Sequence, residues 1–378
     1  MKISVITVTY NCVNTIERTI ESVLNQKYYD LEYIIIDGDS TDGTKDIISK
    51  YKGMISCFIS EPDDGVYNAM NKGLRNASGD LINFLNGDDY FYSNEVLHRV
   101  DEYFKSHSSS DILIGKDYLG IASNCHYKSR YKDFYADAIF PHQAIFAKRE
   151  VFDRFGGFDE GYHICADREW LFRAMFNGFK VDFIDDVFVY FDANGLSNQS
   201  VLTTIEQYLT SEKYLLLSGK EELLPFTRRF AAYNYARWYV NSKLKNHDEV
   251  VTLLLKKIVG NQFMIWGGGY DGKSILNSCA DASIHISMVI DNCIDDKELL
   301  GVPVRKYSKN IIQDFLLITS SRYENEIANI LMNDDFEDGK DFIKMSSFLK
   351  KMICSMQEDV HKDGIFEKMT GFDLFQYL

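Results

Sequence analysis

The stretch from Glu61 to Asp89, EPDDGVYNAMNKGLRNASGDLINFLNGDD, constrains the fold of this chain more than any other. Val66, Ala69, Met70, Gly73 and Leu74 recur at spacings of three and four, which predicts a short helix with one inward face. Asp63 and Asp64 stand at its start, and Asn76 to Gly79 break it. Leu81, Ile82, Phe84 and Leu85 then make a nearly continuous apolar run, as in a strand of a parallel sheet buried on both faces. Asn86, Gly87, Asp88 and Asp89 follow at its carboxyl end, where open α/β sheets bind their ligands. Two adjacent carboxylates after a glycine suit a hard divalent cation holding a diphosphate. An ordinary surface turn is the other reading of those four residues.

The flanking sequence repeats the alternation. Residues 2–8 read as a buried strand that leaves through Thr9, Tyr10 and Asn11. Ile16, Ile20, Val23 and Leu24 line the next helix. Leu31 to Ile36 is a second strand, ending in Asp37-Gly38-Asp39-Ser40-Thr41-Asp42-Gly43-Thr44, a turn and helix start capped by Ser40 or Asp42. Ser56 to Ser60 is a third. Three βα units before the acidic corner predict an α/β fold with a parallel sheet and a nucleotide-type pocket at its switch point. Further on, helices are expected over Asn94–Phe104 and up to Phe155, and strands over Asp111–Gly115, Ala144–Ala147 and Val181–Phe191. Between them, Cys165 to Met175 reads as a helix with Asp167 and Glu169 in its first turn, where carboxylates complement the helix dipole. Residues 116–138, rich in tyrosine, yield no element.

A length of 378 residues suggests at least two domains. The net charge of −15 argues against a general nucleic-acid binder, though not against a nucleotide substrate. Seven cysteines without a CxxC pair suit free thiols in a reducing compartment. The start, MKISVITVTYN, reads as a strand rather than a signal peptide, and no apolar run approaches membrane-spanning length. These features predict a cytoplasmic protein. Peripheral membrane contact is open, because Phe226 to Lys245 mixes basic and aromatic residues. They suit either an interfacial helix or a connecting helix with a solvated basic face.

A second module begins after a helical connector. The expected division is 1–215, 216–258, 259–345 and a helical tail over 346–378. Gly267, Gly269 and Gly272 spell GxGxxG after a strand, and Asp291 ends the next strand, as in a dinucleotide fingerprint. The same turn also reads as GxxxxGKS with Lys273 and Ser274, but no later strand ends in a convincing second metal-binding Asp. The series GGGYDGKSIL, MVIDN and LLGVPV resembles the small Rossmann-like module of sugar-modifying acyltransferases and some polysaccharide enzymes. Packing, nucleotide binding and a true NAD or ATP site remain alternatives for it.

Five segments carry a second resemblance, over about residues 1–215. They are TVTYN at 7–11, IDGDSTDGT at 36–44, EPDDGVYNAMNKG at 61–73, SGDLINFLNGDDYF at 78–91, and HQAIFAKREVF, GGFDE and ADREWLFRA between 142 and 174. In this order they resemble the family 2 glycosyltransferases, whose nucleotide-sugar-binding fold is called GT-A, and among them members that build bacterial surface polysaccharides. The resemblance implies that Thr9, Tyr10 and Asp37 surround base and ribose, with Tyr10 stacking on the base and Asp37 accepting a hydrogen bond from it. Many members carry a second Asp where this chain has Gly38. Asp63, Tyr67 and Asn71 would lie near sugar and diphosphate, and His142 near the diphosphate or acceptor. Asn86-Gly87-Asp88 takes the place of the family's Asp-x-Asp motif, with Asn for its first carboxylate. Asp88 would bind Mg2+ or Mn2+, with Asp89 as neighbour. Asp167 matches the catalytic base, and Glu169 is the other candidate.

The implied activity is inverting transfer from a nucleotide-sugar, a UDP-sugar by resemblance, to a hydroxyl of a saccharide or lipid-linked saccharide. This would serve polysaccharide, O-antigen or capsule synthesis at the cytoplasmic side. A non-catalytic GT-A scaffold and a bifunctional protein with an NAD- or ATP-using second module are the rivals. Homo-oligomerisation is open.

Overall fold

The computed structural model describes residues 1–119, 134–137, 140–191, 201–246, 248–281, 284–294, 297–320, 323–356, 360, 364–371 and 374–376. Much of the tyrosine-rich stretch 116–138 and parts of the expected tail lie outside them. The chain divides into two compact units, Met1–Thr227 and Arg228–Leu378.

The first unit follows β1 (Ile3–Thr9), α1 (Ile16–Leu24), β2 (Leu31–Asp37), α2 (Thr44–Lys50), β3 (Cys57–Ser60), α3 (Val66–Asn76) and β4 (Leu81–Phe84). Then come β5 (Tyr90–Phe91), α4 (Val96–Ser106), β6 (Ile112–Leu119), α5 (Phe134–Asp137), β7 (Ile145–Lys148), α6 (Arg149–Phe155), α7 (Ala166–Phe176), β8 (Val181–Phe191) and α8 (Val201–Leu217). The expected connector starts within α8 and continues into α9 (Leu224–Lys245), where the division between the units falls.

The eight strands lie in the order β3-β2-β1-β4-β7-β6-β8-β5. The first four are parallel, as alternation predicts. The rest departs from an all-parallel sheet: β7 runs antiparallel to both β4 and β6, and β5 antiparallel to β8. A four-residue strand leaves no periodic trace of its direction, so only the chain path reveals it.

Residue parity sorts the core. Ile6, Val8, Ile34, Ile36, Ile82 and Phe84 face α3 and α7, packing with Met70, Trp170 and Leu171. Ile3, Val5, Tyr33, Ile35 and Leu81 face the other way, onto Ile16, Ile20, Leu97 and Val100 of α1 and α4. Period-two alternation thus covers both faces of one sheet with helices, and its carboxyl edge stays free for polar loops.

The second unit adds α10 (Glu249–Val259), β9 (Gln262–Trp266), α11 (Tyr270–Asp281), β10 (His285–Ile290), β11 (Glu298–Leu299) and β12 (Val302–Arg305). It continues with β13 (Leu316–Ile318), α12 (Glu324–Asn333), β14 (Phe342–Lys344) and α13 (Met345–Ser355). Asp248 caps α10, accepting from Val251 N at 3.1 Å. Its sheet order is β11-β12-β10-β9-β13-β14, parallel except for β11. The five parallel strands have the 3-2-1-4-5 order of a doubly wound sheet. Phe348, Leu349, Met352 and Ile353 of α13 are buried, so this part of the expected tail is core.

Candidate active site

The acidic corner forms where β4 ends beside β1. Leu85 N donates to Ile6 O at 2.9 Å and Gly87 N to Val8 O at 3.0 Å, carrying the pairing past the strand. A Cβ on Gly87 would stand 2.7 Å from Thr9 Oγ1, so the approach of the two chains requires glycine. Side chains of α1 and the turn before it hold the corner's carbonyls. Thr15 Oγ1 donates to Gly87 O at 2.9 Å, Arg18 Nη2 to Asp88 O at 3.0 Å and Thr19 Oγ1 to Asp89 O at 2.6 Å.

The two carboxylates part here. Asp89 is buried, and its Oδ2 accepts from Gln143 Nε2 at 2.7 Å. Asp89 thereby braces the turn that carries His142. Asp88 is half-buried. Thr9 Oγ1 and Asn86 Oδ1 are buried without a hydrogen-bond partner. One carboxylate with neutral oxygens fits Mg2+ or Mn2+, which take their remaining ligands from phosphates and water. Among the described residues no three His, Cys, Asp or Glu side chains gather as a metal cage.

Asp167 begins α7, and Glu206 of α8 fixes that start. The buried Glu206 carboxylate accepts from His163 N at 2.8 Å and from Ile164 N and Cys165 N at 2.9 Å. It thereby holds the three successive backbone donors that lead into the helix. No local sequence signal marks it, because it belongs to another helix. Asp167 Oδ2 lies 3.1 Å from His142 Nδ1, and Oδ1 accepts from Arg168 N at 2.8 Å and Tyr67 OH at 3.1 Å. The single Tyr67 hydroxyl proton is shared between Asp167 Oδ1 and Ile164 O. On the far side of the imidazole, Asn86 Nδ2 lies 3.2 Å from His142 Nε2. With the Asn86 amide donating, the ring proton sits on Nδ1 and is shared with Asp167.

A continuous hydrogen-bonded row therefore joins the corner to Asp167. Asn83, buried mid-strand, anchors it by donating to Gln143 O and Ile145 O at 2.8 Å each. Burial alone would raise the Asp167 pKa, but the hydrogen bond from His142, with those from the Arg168 N–H and Tyr67 hydroxyl, holds it below the ordinary value. Burial, then the Asp167 charge, push Tyr67 well above the usual tyrosine range.

Three further expected site residues have internal partners. Glu169 is buried and meets Tyr214 OH at 2.8 Å, Lys213 Nζ at 3.0 Å and Arg173 Nε at 3.2 Å, tying α7 to α8. Asn71 is a brace. Its amide donates to Phe158 O at 2.9 Å and Glu160 Oε1 at 2.8 Å and accepts from Phe158 N at 2.9 Å. Asp37 is fully buried and accepts from Ser40 N, Ser40 Oγ and Ser60 Oγ. The register Thr9↔Asp37↔Ser60 places those partners, which leave no oxygen turned outward. Tyr10 and Asp63, by contrast, both border Gly38, and Tyr10 is 62% exposed.

In the second unit the glycine turn is present, but Asp291 is used within it. Its Oδ2 accepts from Gly268 N at 2.7 Å, and its Oδ1 from Cys293 N at 2.7 Å and Ile294 N at 3.0 Å. These three donors occupy the carboxylate that the fingerprint of Gly267, Gly269 and Gly272 would offer to a ribose.

Comparison with known proteins agrees with this geometry. The family model "Glycosyl transferase family 2" matches residues 4–165. An uncharacterized glycosyltransferase of Mycobacterium tuberculosis is 33% identical over 181 residues, covering 46% of this chain and 68% of its own. The Escherichia coli UDP-Glc:alpha-D-GlcNAc-diphosphoundecaprenol beta-1,3-glucosyltransferase WfaP is 38% identical over 121 residues, 31% of this chain and 48% of its own. S. aureus TarS 1-349, crystallised in complex with UDP, superposes with a TM-score of 0.50 at 17% identity, over 75% of this chain and 89% of that one. Corner, capped carboxylate and sequence likeness converge: the chain belongs to the family 2 glycosyltransferases, of GT-A type.

Proposed function

We propose that this glycosyltransferase moves a sugar from a UDP-sugar to a saccharide hydroxyl with inversion at the anomeric carbon. The observation that carries the reading is the row Asn86–His142–Asp167, which sets one carboxylate at a fixed place beside the donor corner. Asp167 is ionised at neutral pH and so can take the proton of the attacking hydroxyl. As the acceptor oxygen bonds to the anomeric carbon, the bond to the diphosphate breaks and the electron pair leaves with it. Double displacement would need a second carboxylate as nucleophile. Glu169, the expected alternative, is enclosed by Arg173, Lys213 and Tyr214, which favours single displacement.

Asp88 would hold the divalent cation, with Asn86 and Thr9 supplying neutral oxygens nearby. When bound, Mg2+ or Mn2+ offsets the charge that builds on the departing diphosphate. The UDP complex of TarS supports a uridine donor, and the printed activity of WfaP supports a lipid-diphosphate-linked acceptor. Among the described residues no helix is long and apolar enough to cross a membrane.

Calorimetry of UDP with and without Mn2+ tests the donor site, on the wild type and Asp88→Ala. Metal-dependent binding lost in Asp88→Ala supports the reading. Binding indifferent to both metal and Asp88 overturns the metal assignment.

A further inference from the structure

We infer that Asp63 reads the donor's base, in space that Gly38 leaves open, and that it selects uracil. The inference rests on the nucleoside-diphosphate-sugar reading above. A Cβ on Gly38 would stand 2.7 Å from Asp63 Oδ2 and 3.3 Å from Tyr10 Cδ2. Gly38 is not among the glycines with positive φ, so its backbone suits any residue. Glycine is needed there for room, and what fills the room is the Asp63 carboxylate.

The turn that delivers Asp63 is held from several sides. Glu61 N donates to Asp37 O at 3.0 Å, Lys72 Nζ donates to Pro62 O at 2.9 Å, and Lys72 pairs with Glu61 at 2.9 Å. Gly65 N donates to Asp63 Oδ1 at 3.0 Å. Among the described residues no donor meets Oδ2. The pocket edge therefore carries one exposed tyrosine ring and one free, pre-positioned acceptor oxygen. Asp37, the other carboxylate at these strand ends, is fully buried with Ser40 and Ser60 as its donors.

The pair suits a base that stacks on a ring and offers a single ring N–H. Uracil offers N3–H. The ring nitrogens on the pairing edges of cytosine and adenine are acceptors, so either base would have to donate through its amino group, displaced along the edge from the place of a ring N–H. Guanine presents two neighbouring N–H groups that match both oxygens of a carboxylate, one of which is engaged by Gly65. The match is to uracil.

The test is calorimetry of UDP, CDP, GDP and inorganic pyrophosphate with Mn2+, on the wild type, Asp63→Ala, Gly38→Asp and the double variant. The wild type is expected to prefer UDP, and Asp63→Ala to lose at least about tenfold in UDP affinity with pyrophosphate binding unchanged. Gly38→Asp sets two carboxylates in one space and should also weaken UDP. The double variant, with its one carboxylate supplied from position 38, should recover most of the loss, which separates base reading from misfolding. UDP binding within about twofold of wild type in Asp63→Ala overturns this inference alone. A wild type that prefers GDP or CDP overturns the choice of uracil. A wild type that binds no nucleoside diphosphate overturns the donor reading beneath it.

Discussion

His142 Nδ1 lies 3.1 Å from Asp167 Oδ2, while the other ring nitrogen of His142 faces the amide of Asn86 at 3.2 Å. One imidazole thus spans from the donor corner to the carboxylate proposed to take the acceptor's proton. Replacing it with alanine should cut kcat about 10–100-fold through loss of positioning, with donor KM changed less than about threefold. His142→Gln, whose amide can donate to Asp167, should recover part of the loss. Steady-state kinetics at saturating acceptor reads the split, and a loss confined to donor KM would instead place His142 on the diphosphate.

Glu169→Gln should leave the chemistry of each folded molecule intact and weaken the fold. The change removes the buried charge that Arg173 and the part-exposed Lys213 meet, at a cost of about 1–2 kcal/mol. Urea unfolding followed by a transfer assay on the folded fraction checks both halves. A selective loss of kcat would return Glu169 to the site.

The Glu32 carboxylate takes hydrogen bonds from Lys2, Ser4 and Ser78, which outweigh its burial and lower its pKa to about 2. Its contribution to stability is fully present above the unfolded value, near 4.3, and is lost as pH falls through the folded one. The Tm gap between wild type and Glu32→Gln should therefore be widest at neutral pH and shrink below about pH 4. A gap independent of pH between 7 and 3 would remove this network from the account.

Asp291→Ala leaves three backbone N–H groups without their acceptor and should destabilise the second unit by about 1–3 kcal/mol. UDP affinity should stay within about twofold of wild type, because the proposed donor site lies wholly in the first unit. Differential scanning calorimetry with UDP titration checks this, and loss of UDP affinity would bring the glycine turn back as a nucleotide site.

The alternation of strands and helices was legible because each face of the first four strands is apolar with the right period. The antiparallel β7 was not, since Ile145–Lys148 reads the same in either direction. Asp167 matches the base by resemblance, but Glu169, a second carboxylate in the same turn, stays a candidate on sequence alone. Two residues along a helix rotate by about 200°, so only one of them can face the corner. The structure turns Asp167 toward His142 and Glu169 toward α8. Asp37 and Asp291 illustrate the opposite limit. An acid at a strand end looks like a ligand in any sequence, and only the count of its internal donors shows it to be occupied. Glu206 and Asn83 were invisible because their partners are far away in the chain.

The account turns on Asp167, so the most direct measurement is single-turnover transfer by Asp167→Asn at saturating donor, with UDP affinity measured alongside. Transfer is expected to fall by about 10²–10⁴-fold while UDP affinity stays within about twofold. Near-normal transfer with UDP bound as in wild type would contradict the assignment of Asp167 as the base.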